Sequence, residues 1–345
     1  MIHGTAAWTA IALALLLQFK PAGETPTSGR SVEHSQREFH DLVPSPAKVE
    51  VLAKGFGWSE GPVWIRDGGY LLFSDVPANV IHRWTAKEGA TLFLHPSGGT
   101  IKEGFREPGT NGLKPAGRGT ILVADQGNRA IARLDLRTKA KRILAQKFAS
   151  KRFNSPNDLA VGPDGSIWFT DPPYGLEGID ASPLKEQPVN GVYRVKPDGQ
   201  ILLVEAGLRF PNGIVFSPDG ATLYVSNSDP AQAVILAYDV ASNGTLSRRR
   251  VFSDMTALVT QGQPGLPDGM TVDERGNLWA TGPGGVHIFR PDGHDLGVIS
   301  TGAAISNCAF GGSDGRTLYM TSGNTLAAIR TKVRGAPHRL PRVRG

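Results

Sequence analysis

The 345-residue chain holds one cysteine, Cys308, so no intrachain disulfide can form, and its eight histidines are scattered with no Cys/His spacing of the kind that binds zinc. The apolar stretch Ala6 to Leu17 is too short to span a bilayer. The formal charge is +6, but charges of both signs are interspersed and no Lys/Arg run alternates with aromatics, so nucleic acid is not an expected partner. Cys308, at the start of an apolar strand, reads as a buried structural thiol.

What the chain has in quantity is turn residues, 43 Gly and 25 Pro. They serve a repeated pattern. From Arg152 to Gly175, an Asn157-Asp158 pair precedes the apolar strand Leu159 to Val161, the tight turn Gly162-Pro-Asp-Gly165 and the β-rich strand Ile167 to Thr170. The same order follows Glu60, Asn111, Asn212, Asp268 and Asn307, each with a polar or Gly-rich turn before a second strand that ends in Ser, Thr, Asp or Asn. Six copies at intervals of about 40 to 55 residues are the mark of a radial repeat, and the expected fold is an all-β, six-bladed β-propeller. Further strands, such as Val80 to Trp84, Ile131 to Leu134 and Gly191 to Val195, would form the outer parts of the blades.

Equivalent positions in such a repeat sit at equivalent radius, so the lead residues Glu60, Asn111, Asn157, Asn212, Asp268 and Asn307 should ring one mouth of the central channel. Two carboxylates among neutral amides suit a hard divalent cation. The competing reading is that each Asn or Asp before Gly caps a turn.

The domain boundaries follow from the pattern. Residues 1–25 read as a signal peptide, with Ala6 to Leu17 as its apolar part; an uncleaved anchor or a misassigned start is the alternative. Export, to a periplasm or outside the cell, is the expectation, with no transmembrane span after processing. Residues 26–47 read as a linker, 48–332 as the propeller and 333–345 as a disordered basic tail. An open ring would leave an exposed sheet edge, so the strand at 49–53 should complete the sixth blade.

Glu60-Gly-Pro-Val-Trp, Asn154-Ser-Pro-Asn-Asp158, Phe169-Thr-Asp-Pro-Pro-Tyr-Gly175, Pro211-Asn-Gly-Ile, Pro267-Asp-Gly-Met and Ser306-Asn-Cys-Ala-Phe-Gly-Gly312 together resemble the gluconolactonase branch of the SMP-30/gluconolactonase family. The likeness runs from about residue 50 to 331. It implies a propeller with a divalent metal at the channel mouth, Ca²⁺ before Mg²⁺, Zn²⁺ or Mn²⁺. By motif match, the metal ligands fall on Glu60, Asn212 and Asp268, and Asn157 is a fourth metal ligand or a substrate contact. Where some members carry a substrate-contacting Arg two positions before the Asn of the Asn-Asp pair, this chain has Ser155, with Arg152 displaced.

The implied chemistry is hydrolysis of a sugar-type lactone by metal-activated water, with a small-molecule lactone as partner. Asp268 would orient that water or take its proton, the orienting role suiting a carboxylate already on a metal. Asn111, Arg152, Tyr174 and His287 are candidate substrate contacts. Tyr174 either walls a sugar pocket or packs on its turn, and His287 either carries a proton at the rim or is satisfied within an outer strand. A lactonase or esterase of broader scope also fits, and so does a non-catalytic exported propeller with a structural metal.

Overall fold

The computed structural model describes residues 37–101 and 103–343, so the signal-peptide reading of 1–25 and the first part of the linker lie outside the described residues. Strands of three to nine residues, broken by Gly-containing turns, build six four-stranded antiparallel sheets. The first blade runs Ser59–Ile65, Tyr70–Asp75, Val80–Thr85 and Gly89–Leu94. Blade 2 is Thr110–Pro115, Thr120–Asp125, Ala130–Asp135 and Lys141–Ala145; blade 3 is Leu159–Val161, Ile167–Asp171, Gly191–Val195 and Ile201–Glu205. Next come Pro211–Phe216, Thr222–Asp229, Gln232–Val240 and Leu246–Asp254 in blade 4, then Met270–Val272, Leu278–Gly282, Gly285–Phe289 and Asp295–Ile299 in blade 5.

Blade 6 has Asn307–Gly311, Thr317–Ser322 and Thr325–Arg330, and its fourth strand is the chain's first, Glu50–Lys54, paired antiparallel with Thr325–Arg330. The ring is thereby closed as the edge argument requires. Six buried clusters fill the gaps between successive blades. Phe73 with Tyr319 and Leu326 joins blades 1 and 6, for example, and Trp168 with Ile214 and Leu236 joins blades 3 and 4.

Two boundary readings are corrected. Within 26–47, residues 37–42 form a short helix whose Phe39 and Leu42 are buried against blades 5 and 6 with Val43 and Ala47, and the Lys332 N–H donates to the Leu42 carbonyl at 2.7 Å. Burial of these apolar side chains, hidden among polar neighbours in the sequence, holds the segment to the propeller. The tail is not disordered over 333–343. It crosses the face of the propeller that carries the first inter-strand turns: the Ala336 N–H bonds the Val272 carbonyl at 3.0 Å, Arg342 N–H the Gly165 carbonyl at 2.8 Å, and Val333 and Val343 are buried. Among the described residues no helix is long and apolar enough to cross a membrane.

Candidate active site

Each inner strand meets its neighbour's at the lead residue. In blades 1, 2 and 4 the pairing register shifts there, at Glu60/Val63, Thr110/Leu113 and Pro211/Ile214, so Asn111-Gly112 and Asn212-Gly213 lie in β-bulges rather than in turns. A bulge re-aims side chains, and next to a channel it turns them toward the axis. A glycine follows four of the six lead residues, Glu60, Asn111, Asn212 and Asp268, and allows the close approach. A Cβ on Gly61 would lie 2.2 Å from the Asn111 carbonyl oxygen, and one on Gly213 would lie 2.1 Å from that of Asp268.

Hydroxyls at the ends of the second strands latch the ring. Ser74 Oγ donates to the Asn111 carbonyl at 2.8 Å, Thr170 Oγ1 to that of Asn212 at 2.6 Å, and Ser226 Oγ to that of Asp268 at 2.9 Å. The strand-end Ser and Thr of the repeat therefore fix the lead residues of the next blade.

The side chains differ in what is left free. Glu60 is buried, with Oε2 accepting from the Gly61 N–H at 3.0 Å and from Asn307 Nδ2 at 3.2 Å. Asn307 Oδ1 accepts from the Cys308 N–H at 2.9 Å, so both ends of this amide are engaged. Asn212 Nδ2 donates to Ser228 Oγ at 2.9 Å, and Ser228 Oγ donates to the Pro267 carbonyl at 2.6 Å, which leaves the amide oxygen of Asn212 as its open end. Asn111 Oδ1 and Asp268 Oδ1 are buried with no protein donor. Asn157 is buried beside them, its N–H bonded to the Thr170 carbonyl at 2.9 Å.

Burial raises the pKa of Glu60, and burial together with the charges of Glu60 and Asp158 raises that of Asp268. These carboxylates feel one another across the mouth. Lys114 Nζ lies 3.6 Å from Asp158 Oδ1.

This donor set is oxygen only: two carboxylates, with the amides of Asn157, Asn212 and Asn111. Among the described residues no group of three or more His, Cys, Asp or Glu is gathered, so a zinc-type cluster is not what the site offers. Orphaned carboxylate and amide oxygens beside a second buried carboxylate fit a hard cation, which would satisfy the oxygens and offset the paired charge.

Of the predicted substrate contacts, Tyr174 joins the site. It stacks on Phe210 with ring centroids 5.5 Å apart, and burial, with the charge of Asp268, pushes its phenol pKa well up. Ser155 holds its loop, with Oγ donating to the Pro172 carbonyl at 2.6 Å and accepting from the Gly175 N–H at 2.9 Å.

Arg152 and His287 are not brought to the ring. Arg152 Nη2 donates to the Asn128 carbonyl at 2.9 Å, and its N–H bonds Glu186 at 2.8 Å, because the hairpin at 147–152 carries it outward. His287 is buried in the third strand of blade 5, with Nδ1 2.9 Å from Asp295 Oδ2 and Nε2 2.9 Å from the Pro283 carbonyl. Both nitrogens are engaged, which is the outer-strand reading. Cys308 is the buried thiol expected, its Sγ 3.5 Å from the Trp279 carbonyl and its pKa pushed up to about 12 by burial.

The sequence reading missed Arg106 and Glu107. Their loop is pinned across the mouth by the Arg106 and Glu107 N–H groups on the Gly175 carbonyl, at 2.9 and 3.2 Å, and the Glu107 charge reaches both Glu60 and Asp268. The 98–109 segment lies between blades and outside the repeat, so no periodic signal marks it.

Comparison with known proteins agrees with this fold. The family described as the SMP-30/Gluconolactonase/LRE-like region matches residues 58–324. A gluconolactonase of Zymomonas mobilis is 48% identical over 315 residues, covering 90% of this chain and 88% of that protein. The Haloferax volcanii pentonolactonase is 29% identical over 76% of this chain and 80% of its own length. The structure of a gluconolactonase from Xanthomonas campestris superposes with a TM-score of 0.76 at 32% identity, over 91% of this chain and 99% of that one. The chain belongs to the SMP-30/gluconolactonase family, in its gluconolactonase branch.

Proposed function

We propose that this lactone hydrolase opens a sugar-type lactone of the aldonolactone class, using water activated at a divalent cation held by Glu60, Asn157, Asn212 and Asp268. The observation that carries the cation is the pair of buried carboxylates with Asp268 Oδ1 lacking any protein donor. Oxygen donors of this mixture favour Ca²⁺, with Mg²⁺, Mn²⁺ and Zn²⁺ as the other ions to test. When bound, such an ion polarises the lactone carbonyl and lowers the pKa of a water beside it. The names of the relatives from Zymomonas and Haloferax support the substrate class.

The protein's own groups supply the geometry. The Asp268 carboxylate, whose Oδ1 no protein donor occupies, would share its oxygens between the cation and a hydrogen bond from the attacking water, orienting that water toward the carbonyl carbon. Water oxygen bonds that carbon, the ring ester C–O bond breaks, and the ring oxygen leaves as a hydroxyl with the proton given up by the water. Glu60 is fixed by Asn307 and Gly61, and Asn212 by Ser228, so the donors are set before substrate arrives. Tyr174, braced on Phe210, walls the sugar ring, and Asn111 Oδ1 accepts from a sugar hydroxyl.

The test is a panel of hexono- and pentonolactones given to chelated protein with each ion restored in turn, alongside Asp268→Asn and Glu60→Gln. Asp268→Asn should weaken the metal modestly and lower kcat by about 10²- to 10⁴-fold even at saturating ion. Glu60→Gln should act through occupancy and regain part of its rate at high ion. If the two variants respond alike, Asp268 has no separate role; if wild type hydrolyses no lactone with any ion bound, a ligand-binding propeller with a structural metal is the better reading.

Export is proposed on the apolar stretch Ala6 to Leu17 and the polar segment after it. N-terminal sequencing of the native protein checks it: a start near residue 25 is expected, and an intact Met1 on cytoplasmic protein contradicts it.

A further inference from the structure

On the face opposite the carboxylate mouth we infer a second ligand site, for an amphipathic monoanion: a carboxylate or sulfonate on an aromatic or alkyl body. A cavity of about 650 Å³ opens there between the first inter-strand turns of blades 1, 2 and 6 and the C-terminal segment. That volume suits a single small molecule. Trp64, Tyr70 and Phe310 give it an apolar wall, and Arg66, Arg118 and Arg137 stand at its edge. The C-terminal segment supplies Pro337, His338 and Leu340 as the remaining side.

The charge is lopsided. Asp67 is the one acidic residue lining the cavity among the described residues, against three arginines. Arg66 and Arg118, both exposed, make no ion pair and no side-chain hydrogen bond among the described residues. Exposed His338 stands in the same cationic surroundings: desolvation first, then the charges of Lys114 and Arg66, lower its pKa.

The wall of Trp64, Tyr70 and Phe310 lets an apolar body leave water, and the unpaired guanidinium forks bind a planar or tetrahedral anion through two N–H groups. Only a ligand with an apolar body and one anionic end uses both features. The site is separate from the ring of lead residues, which lies at the other end of the inner strands.

Fluorescence titration of the full-length protein with 8-anilinonaphthalene-1-sulfonate tests the inference. Saturable binding at one site is expected, weakened by about tenfold or more in the Arg66→Glu/Arg118→Glu double variant. Both positions are exposed turn residues, and an unchanged Tm together with an unchanged lactonase rate would show the variant folded. Asp268→Asn should leave the titration unaltered. Octanoate should displace the probe and the uncharged octyl glucoside should not, which separates the anionic end from the apolar body. No binding, equal binding by the double variant, equal displacement by octyl glucoside, or loss of binding in Asp268→Asn would each overturn it.

Discussion

Asp171 ends the second strand of blade 3, fully buried, with Oδ2 accepting from the Asn154 N–H at 2.7 Å and Oδ1 unpartnered. Burial pushes its pKa up to about 7, against the bonds from Asn154 and the charge of Arg129, which lower it. An aspartate in the unfolded chain ionises near pH ~3.9. Between these values the folded state keeps a proton that the unfolded state has released, so this group's contribution to stability falls as pH rises from about 4 to 7 and is level above. Asp171→Asn keeps an acceptor for the Asn154 N–H and removes the titration. The Tm of the variant relative to wild type should therefore be more favourable at pH 8 than at pH 5. Equal differences at the two pH values would mean that Asp171 is already ionised throughout.

The inner strands of the blades carry both fold and site, because their bulges are where neighbouring backbones come closest. Gly213→Ala would put a methyl group 2.1 Å from the Asp268 carbonyl oxygen, an atom of the main chain that cannot swing aside. Blades 4 and 5 would have to move apart, at a cost of about 1 to 3 kcal/mol. Urea denaturation should show that loss, and lactonase activity should drop with it because Asn212 and Asp268 shift together. A variant as stable and active as wild type would show that the two strands have room to spare. Strand-end hydroxyls such as Thr170 and Ser226 belong to the same device, bonding the carbonyls of Asn212 and Asp268 in the next blade.

At the scale of the whole molecule, two terminal segments finish what six repeats begin. Glu50–Lys54 closes the ring in blade 6, and the helix at 37–42 and residues 333–343 cover apolar surface on its outside and far face. Much of this was open to the sequence. The repeat of a lead Glu, Asn or Asp, a strand, a Gly turn and a second strand is local, so the blade number and the closure strand are legible in it, and it marks Glu60, Asn111, Asn157, Asn212 and Asp268 as the lead positions of their blades. Which oxygens of that ring stay free depends on partners far along the chain. Asn307 looks like a lead residue in sequence, yet its amide is taken up by Glu60 and Cys308. His287 looks near the rim, yet Asp295 and the Pro283 carbonyl hold both its nitrogens. Arg106, Glu107 and the C-terminal segment carry no period at all; only packing against Gly175, Val272 and Gly165 gives them a place. Periodic residues report their environment because each copy repeats it, whereas a loop or a tail meets its environment once, and only the tertiary structure decides where.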